Sequence, residues 1–331
     1  MMIARPWVSE FATLGALAPV PAGLLGDQFP GAREAMQGRG HAWGVPWTLD
    51  TQVQYHRRDL VEAADYAAPP PRWAEWKAML HAVRRRQRDG YALLMQLNWP
   101  EHLMNLAAAA GAMPLADRQS RGAFRSPAFM AALGFYKSLF DEGLAPLATG
   151  TDVPDPAAEL ARGWVAIYPA GAWTAADLRR RRLMPASRWG IATMPSPDGR
   201  PRGIVAGAVL AVAAGAADPG AAWRLVRYLT APATEVAFHR IAGVLPSRPS
   251  AWRSAALGQD PLAAPFGALV ERPAPEPSIP EWQRIRTEVQ AIAERMVRGE
   301  LTLAAAAAAM DARADALLAK RRWLLERGRV E

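Results

Sequence analysis

The sequence predicts an α/β protein, on three observations. Apolar runs of strand length alternate along the chain with segments of helical period. Helices are punctuated by Pro at their first turn and Gly past their last. The 331 residues suffice for two lobes, each with its own core.

In chain order, the strand candidates begin with "HAWGVPW" (His41–Trp47) and "QVQYH" (Gln52–His56), whose alternation marks a pleated segment. Pro71 opens a helix with Trp73, Trp76, Leu80 and Val83 on one face, closed by Gly90. "YALLMQL" (Tyr91–Leu97) reads as a buried strand. Ser126-Pro127 is an N-cap followed by Pro at the first helical position, and that helix runs through Phe129, Leu133, Tyr136 and Leu139 to Gly143. "WVAIYP" (Trp164–Pro169), "WGIATMP" (Trp189–Pro195) and "IVAGAVLAVA" (Ile204–Ala213) are further strands, with the loop 195–203 as a linker or hinge. Asp218-Pro219 repeats the capping device. Two helices finish the chain, Pro280 to Arg298 and Thr302 to about Arg327, with Gly299 between them. The Ala304–Ala309 tract is helix, since Ala is the best helix former.

Composition narrows the function. There is no Cys, which excludes disulfides, thiolate catalysis and Cys-ligated zinc. Five His are scattered with no two at ligand spacing, so no metal site is expected. The net charge is +8 and the pI about 10.3. Of the 39 basic residues only Lys77, Lys137 and Lys320 are Lys, and Ala is abundant. That bias reads as a GC-rich genome. The runs Arg84–Arg86 and Arg179–Arg182 read as solvated helix faces without the interleaved aromatics of a single-strand binder, and no nucleic-acid partner is expected. The longest apolar run, Ile204–Ala217, is too short and too broken by Gly to span a bilayer. The N-terminus carries Glu10 and no basic leader, so it does not read as a signal peptide.

The order of several segments carries a resemblance. "PWVSEFATLGALAPV", "GVPWTLDTQVQYHRRDLVEA", "PPPRWAEWKAMLHAVRR", "SPAFMAALGFYKSLFDEGLAP" and "ARGWVAIYPAGAW" occur in that order, followed by the long stretch from "IATMPSPDGRPRG" to "LPSRPSAW". Together they cover nearly the whole chain. The set resembles the sugar-type (family 1) extracellular solute-binding proteins of ABC importers. The resemblance implies a two-lobed periplasmic-binding-protein-like fold of type II that binds a carbohydrate, an oligosaccharide or sugar derivative, in the cleft and closes by hinge motion. It implies a first lobe of residues 1–50 plus 204–247 and a second of 51–203 plus 248–331. It implies a monomer with no catalytic residues and no cofactor, located in the periplasm or as a cell-surface lipoprotein and partnered by permease subunits. The 13 Trp suit a sugar site, because a pyranose offers an apolar face for stacking and hydroxyls that need placed polar partners.

The resemblance places Trp47, Thr48 and Asp50 at the first crossover, facing the cleft. It places Trp99 and Glu101 after the Tyr91–Leu97 strand, Trp173 at the stacking position after a turn, Gly207 and Ala208 where the family often has two glycines, and Arg248 by the last crossover. Each has a plainer reading. Asp50 serves equally as a turn cap, Glu101 as a first-turn helix acid, Arg248 as a solvent-facing cation, and Trp47 as packing. Trp73, Trp76 and Trp223, at helical spacing, read as core. The family carries an export signal and a strand–helix–strand unit ahead of anything like "MMIARPWVSEF". Here Met1–Ala4 already corresponds to the third strand. The expectation is therefore a first lobe missing its initial strand–helix–strand, with Met1–Ala4 an exposed edge, through a misplaced start or a fragment. Two alternatives stand beside the sugar binder. One is a glycoside hydrolase using Asp50 and Glu101 as its carboxylate pair; the other is a truncated remnant that binds nothing.

Overall fold

In the computed structural model, which describes residues 1–34, 36–38, 40–87, 89–260 and 262–329, the predicted alternation of strands and helices is present. The strands are β1 (Met2–Ala4), β2 (Gln37–Gly38), β3 (His41–Ala42), β4 (Val45–Thr51), β5 (Val53–Arg57), β6 (Tyr91–Leu93), β7 (Leu115–Ala116), β8 (Arg121–Gly122), β9 (Val165–Ala170), β10 (Trp189–Thr193), β11 (Val205–Leu210) and β12 (Leu245–Pro246). They form two four-stranded sheets. The first has the order β1-β11-β4-β12, the second β10-β5-β9-β6, and β2-β3 and β7-β8 are hairpins. Among the pairings of these named strands, only β6–β9 is parallel.

The chain passes between the sheets over one residue. β4 pairs in the first sheet and β5 in the second, with Gln52 alone between them. A second passage runs from the end of β10 to the start of β11 and returns the chain to the first sheet. The two passages are fastened together where Thr51 Oγ1 donates to the Ile204 carbonyl at 2.9 Å. The strand β1 lies at the edge of the first sheet, paired only with β11, as expected for Met1–Ala4.

The core follows the periodicity of the sequence. Helices Trp73–Arg86, Pro100–Ala109, Pro127–Asp141, Trp282–Val297 and Leu303–Leu317 pack with β6 and β9 of the second sheet in the largest apolar cluster. Trp76, Leu80, Phe129, Leu133, Tyr136 and Ile285 are fully or almost fully buried there. Trp73 and Trp76 are core, and Trp73 stacks on Phe135 with centroids 4.3 Å apart. A second cluster is continuous between the sheets, from Leu49 and Leu245 through Val53, Tyr55 and Tyr168 to Phe266. The first sheet has smaller cores. One is Val8, Leu17, Met36, Val209 and Ala211; the other is Leu24, Val45, Leu210, Val212 and Val226, with Trp223 packed against it.

Boundaries moved for identifiable reasons. The His41–Trp47 strand is divided between β3 and β4, and Gly44 between them lies so close to Val209 that a Cβ would come within 2.3 Å of its Cγ1. His41–Ala42 instead folds back on β2. Only Tyr91–Leu93 of the Tyr91–Leu97 run is in the ladder; beyond it Leu97 N–H turns to the Ala148 carbonyl at 2.8 Å. The last helix is two, Leu303–Leu317 and Ala319–Glu326, meeting at the buried Leu318. The Asp218 cap formed as read, its side chain accepting from the Ala221 N–H, and Thr302 caps its helix likewise from Ala305. Asp155 caps the helix Pro156–Arg162 in the same way, which the sequence reading missed. Ser126, read as an N-cap, makes no capping hydrogen bond, although Pro127 opens its helix as expected.

Gly207 in β11 has φ +142°, and a Cβ there would lie 2.0 Å from the Thr48 carbonyl oxygen of the paired strand. Gly207→Ala is therefore expected to cost about 2–4 kcal/mol by forcing β11 off β4. Urea unfolding measures it; a loss under about 0.5 kcal/mol, the scatter of ordinary surface substitutions, would refute the close-approach role.

Candidate functional site

The site is built outward from the passage between the sheets. Asp50, in β4, sends its carboxylate across to the turn that follows β9, where Oδ1 accepts from the Ala172 N–H at 3.0 Å. The turn admits it because residue 171 is Gly: a Cβ there would stand 2.4 Å from Oδ1. Tyr55, five residues further on in β5, holds the same turn. Its hydroxyl donates to the Gly171 carbonyl at 2.8 Å and accepts from the Ala175 N–H at 3.2 Å. Asp50 and Tyr55 together fix the start of the helix Trp173–Arg180 and the position of Trp173.

Trp173 is exposed, and its ring lies parallel to that of Trp99, with centroids 6.4 Å apart and planes 5° from parallel. Trp99 stands directly before the helix Pro100–Ala109, with Pro100 in its first turn. That helix is tied to both passages: the Gln52 amide lies 2.9 Å from His102 Nδ1, and Asn105 Oδ1 accepts from Ile204 N–H at 3.0 Å. Burial pushes His102 down to about 3, so its imidazole is neutral. The two Trp rings line a cavity of about 580 Å³ with Gln96, Asn98, Tyr168, Asp177 and Arg181. Asp155 also lines it and, with Asp177, pairs with Arg181. The Tyr168 hydroxyl is buried and meets no hydrogen-bond partner among the described residues, which leaves a polar group for an occupant to satisfy.

Burial pushes the Asp50 carboxyl up to about 6, against the pull of the Ala172 and Thr51 N–H groups, and the Glu101 carboxylate adds to the rise. Glu101 itself is paired with Arg286. Arg286 lies 3.4 Å from Glu276, which also pairs with Arg5 and accepts from Trp282 Nε1 at 3.0 Å. The line Arg5–Glu276–Arg286–Glu101 thus runs from the end of β1 to the foot of Trp99.

Asp50, Trp99, Glu101 and Trp173 are brought to one place. The other expected positions have different surroundings. The Trp47 ring stacks face to face on Phe238, at 4.7 Å and 5°, against the small core of the first sheet. Thr48 Oγ1 accepts from Ala208 N–H at 3.2 Å, within the β4–β11 ladder. Gly207 provides the close strand approach described above. Arg248 is buried rather than solvent-facing: it pairs with Asp27 at 2.9 Å and donates to the carbonyls of Thr230, Leu25 and Leu24. Its backbone N–H meets Glu235, whose carboxyl burial pushes up to about 7. Residues not expected at the site from the sequence are Arg286, Glu276, Tyr168, Asp177 and Trp7, together with Arg181, which was read with its run as a solvated helix face and instead lines the cavity. Trp7 stays exposed while stacking on Phe11 at 6.0 Å, two residues beyond Arg5. The quoted "PWVSEF" carried that signal, an aromatic directly after a strand. No group of side chains suited to a metal occurs among the described residues.

A family model described as bacterial extracellular solute-binding protein matches residues 1–265. A maltotriose-binding protein of Pyrococcus abyssi is 21% identical over 305 residues, 89% of this chain and 64% of its own length. A relative from Deinococcus radiodurans is 27% identical over 230 residues, 64% of this chain and 52% of its own length. The chain thus spans less than two thirds of either curated relative. Among solved structures, the sugar-binding protein MalE of Xanthomonas citri superposes with a TM-score of 0.90 at 35% identity, covering 98% of this chain and 85% of that one. The acarbose receptor GacH of Streptomyces glaucescens shares the fold, with a TM-score of 0.87 at 21% identity over 96% and 83%.

The raised Asp50 pKa makes stability depend on pH with a definite sign. Its favourable contribution is complete below about pH 4, where the carboxyl is protonated folded or unfolded, and is lost as pH rises through about 6. Asp50→Asn removes this dependence. Relative to the variant, the wild type is expected to lose about 1–3 kcal/mol between pH 4 and pH 7. Parallel pH profiles in chemical unfolding would count against a buried, strained carboxylate.

Proposed function

The chain belongs to the family of bacterial extracellular solute-binding proteins, and we propose that within it the protein is the carbohydrate-binding component of an ABC importer. The observation that carries this is the parallel Trp99–Trp173 pair at the mouth of a cavity lined with polar groups, beside the Asp50 carboxylate. A sugar entering between two rings needs two van der Waals spacings, about 7–8 Å. At 6.4 Å the pair is too close for that. The rings instead form a stepped wall offering stacking platforms to adjacent units of an oligosaccharide, with the Tyr168 hydroxyl and the Asp155, Asp177 and Arg181 group to meet its hydroxyls. Trp7 would supply the opposing apolar surface, and the binding of maltotriose and acarbose by relatives makes an α-linked gluco-oligosaccharide the first ligand to test.

On this reading the two sheets are the centres of two lobes. The first holds residues 1–50 and 204–252, the second 51–203 and the remainder. The return to the second lobe falls after Trp252, because Arg248 bonds within the first, Trp252 Nε1 donates to the Pro246 carbonyl and its ring meets Phe29 edge-on. The protein works outside the cytoplasm as a monomer and hands its ligand to permease subunits. Glu101, already paired with Arg286, is not a free partner for Asp50 in a hydrolytic pair.

Titration calorimetry with maltotriose, maltose and acarbose tests the proposal, and absence of binding by all of them and by a wider sugar panel would sink it. Trp173→Ala and Trp99→Ala are each expected to weaken binding at least tenfold, whereas Trp47→Phe, which keeps the stack on Phe238, is expected to leave affinity unchanged. Closure has its own test. Gly243, in the turn after the helix Pro232–Ala242, lies so close to Ala176 of the Trp173–Arg180 helix that a Cβ would come within 2.3 Å of the Ala176 Cβ. Ala176→Leu should hold the lobes apart, lowering affinity and raising the radius of gyration of the liganded protein in solution scattering. Unchanged affinity and radius would remove this contact from the closing motion.

A further inference from the structure

The last helix, Ala319–Glu326, buries none of its residues fully, and the site described above makes no use of it. Over residues 319–329 it carries Lys320, Arg321, Arg322, Arg327 and Arg329 against the single acid Glu326. Arg322 faces inward and anchors the helix, donating to the carbonyls of Ser120 and Asp315 at 2.8 Å each. Lys320, Arg327 and Arg329 face outward, and no carboxylate among the described residues pairs with them. Arg321 is partly buried; burial and the exposed Arg118, on the turn that precedes Ser120, disfavour its charge, against the pull of Glu281.

Among these cations stands Trp323, 44% exposed. Arg327 lies over its ring at 4.2 Å and Arg329 at 5.4 Å. A guanidinium held by its face on an indole keeps its N–H edge free, and that edge matches the oxygens of a phosphate. The surface is therefore an aromatic side chain of interfacial character, on a short anchored helix, beside Lys320, Arg327 and Arg329, which no carboxylate among the described residues pairs.

We propose that this C-terminal surface docks on anionic phospholipid headgroups, Trp323 entering the interfacial layer while Lys320, Arg327 and Arg329 meet the phosphates. One aromatic on a convex helix does not make the stacking track that single-stranded nucleic acid requires. Charge complementarity with a polyanionic plane is what the arrangement provides. Such docking would confine a solute-binding protein to the membrane face where its permease lies, without a contact at the sugar site. The inference does not rest on the sugar reading, because none of its residues lines the Trp99–Trp173 cavity.

The test is co-sedimentation of the full chain with vesicles of phosphatidylglycerol and phosphatidylcholine in equal parts, against phosphatidylcholine alone. Binding is expected only to the anionic vesicles, falling with added salt and by about fivefold for each charge removed in Arg327→Gln and Arg329→Gln. Trp323→Ala should weaken binding while leaving its salt dependence in place. Melting temperatures of the variants within the scatter of wild type show that folding is not the cause of any loss. Equal binding to neutral vesicles, undiminished binding by the doubly substituted chain, or tighter binding to a single-stranded polynucleotide than to the anionic vesicles would each overturn the proposal.

Discussion

A single residue, Gln52, separates a strand of one sheet from a strand of the other, and the geometry of the candidate site depends on that short passage. So brief a connection leaves the neighbouring side chains almost no choice of direction. Asp50 on one side of it meets the Gly171–Ala172 turn; Tyr55 on the other side braces the same turn. Thr51 and Gln52 reach Ile204 and His102, which with Asn105 fix the helix that begins after Trp99. Residues 50–55 therefore place both Trp rings through the turn and the helix that carry them. In the proposed closure the lobes pivot about this passage, and rotation there moves the Trp173 turn relative to Asp50. The proposed motion would thus be coupled to the cleft through one charge-assisted hydrogen bond.

The charge distribution separates into an interior and a surface with different logic. Inside, Glu276 and Arg286 are almost wholly buried, and each is tolerable only because opposite charges flank it on both sides. The line from Arg5 to Glu101 alternates in sign and ends at a carboxylate that is still partly exposed. Arg248 is treated in the same way, with Asp27 and three carbonyls taking its donors. Such closed arrangements specify one docking of β1 and its short helix Arg5–Trp7 against the helix Trp282–Val297, since a shifted register would strand a buried ion. Lys320, Arg327 and Arg329, on and just after the last helix, are instead exposed to water with no carboxylate partner among the described residues.

Most of the fold was legible because it rests on local signals. Caps, Pro-initiated helices and apolar periods are properties of a few neighbouring residues, and Asp218 and the Trp73–Val83 face behave as those signals dictate, whereas the Ser126 side chain makes no cap. Four of the nine expected site residues, Asp50, Trp99, Glu101 and Trp173, do meet, and all four stand near the end of a strand or at the start of a helix, where the backbone geometry is set locally. Arg286 and Glu276 were not legible, because a helical Arg and a loop Glu acquire meaning only through partners distant in sequence. Arg248 was misjudged for the same reason. An Arg next to a crossover reads as available, and nothing local reveals that Leu24, Leu25 and Thr230 will enclose it.

Trp47 is the instructive case, since it lies three residues from Asp50 and looked like its companion. The β4–β11 register pairs Thr48 with Ala208 and Pro46 with Val209, leaving Trp47 as the extra residue of a bulge. A bulge re-aims the side chain it carries. Here Trp47 joins Val45, Leu210 and Val226 on the face packed by the helix Pro219–Leu229, and Phe238 of the next helix covers its ring. The slip is adjacent to Gly207, the one position of β11 with positive φ, where the two backbones approach more closely than any side chain allows. The Gly207-Ala208 pair and Trp47 are thus parts of one backbone irregularity in two paired strands. Reading them separately, each as a contact to a ligand, was natural from sequence alone, because a bulge belongs to the pairing and to neither strand by itself.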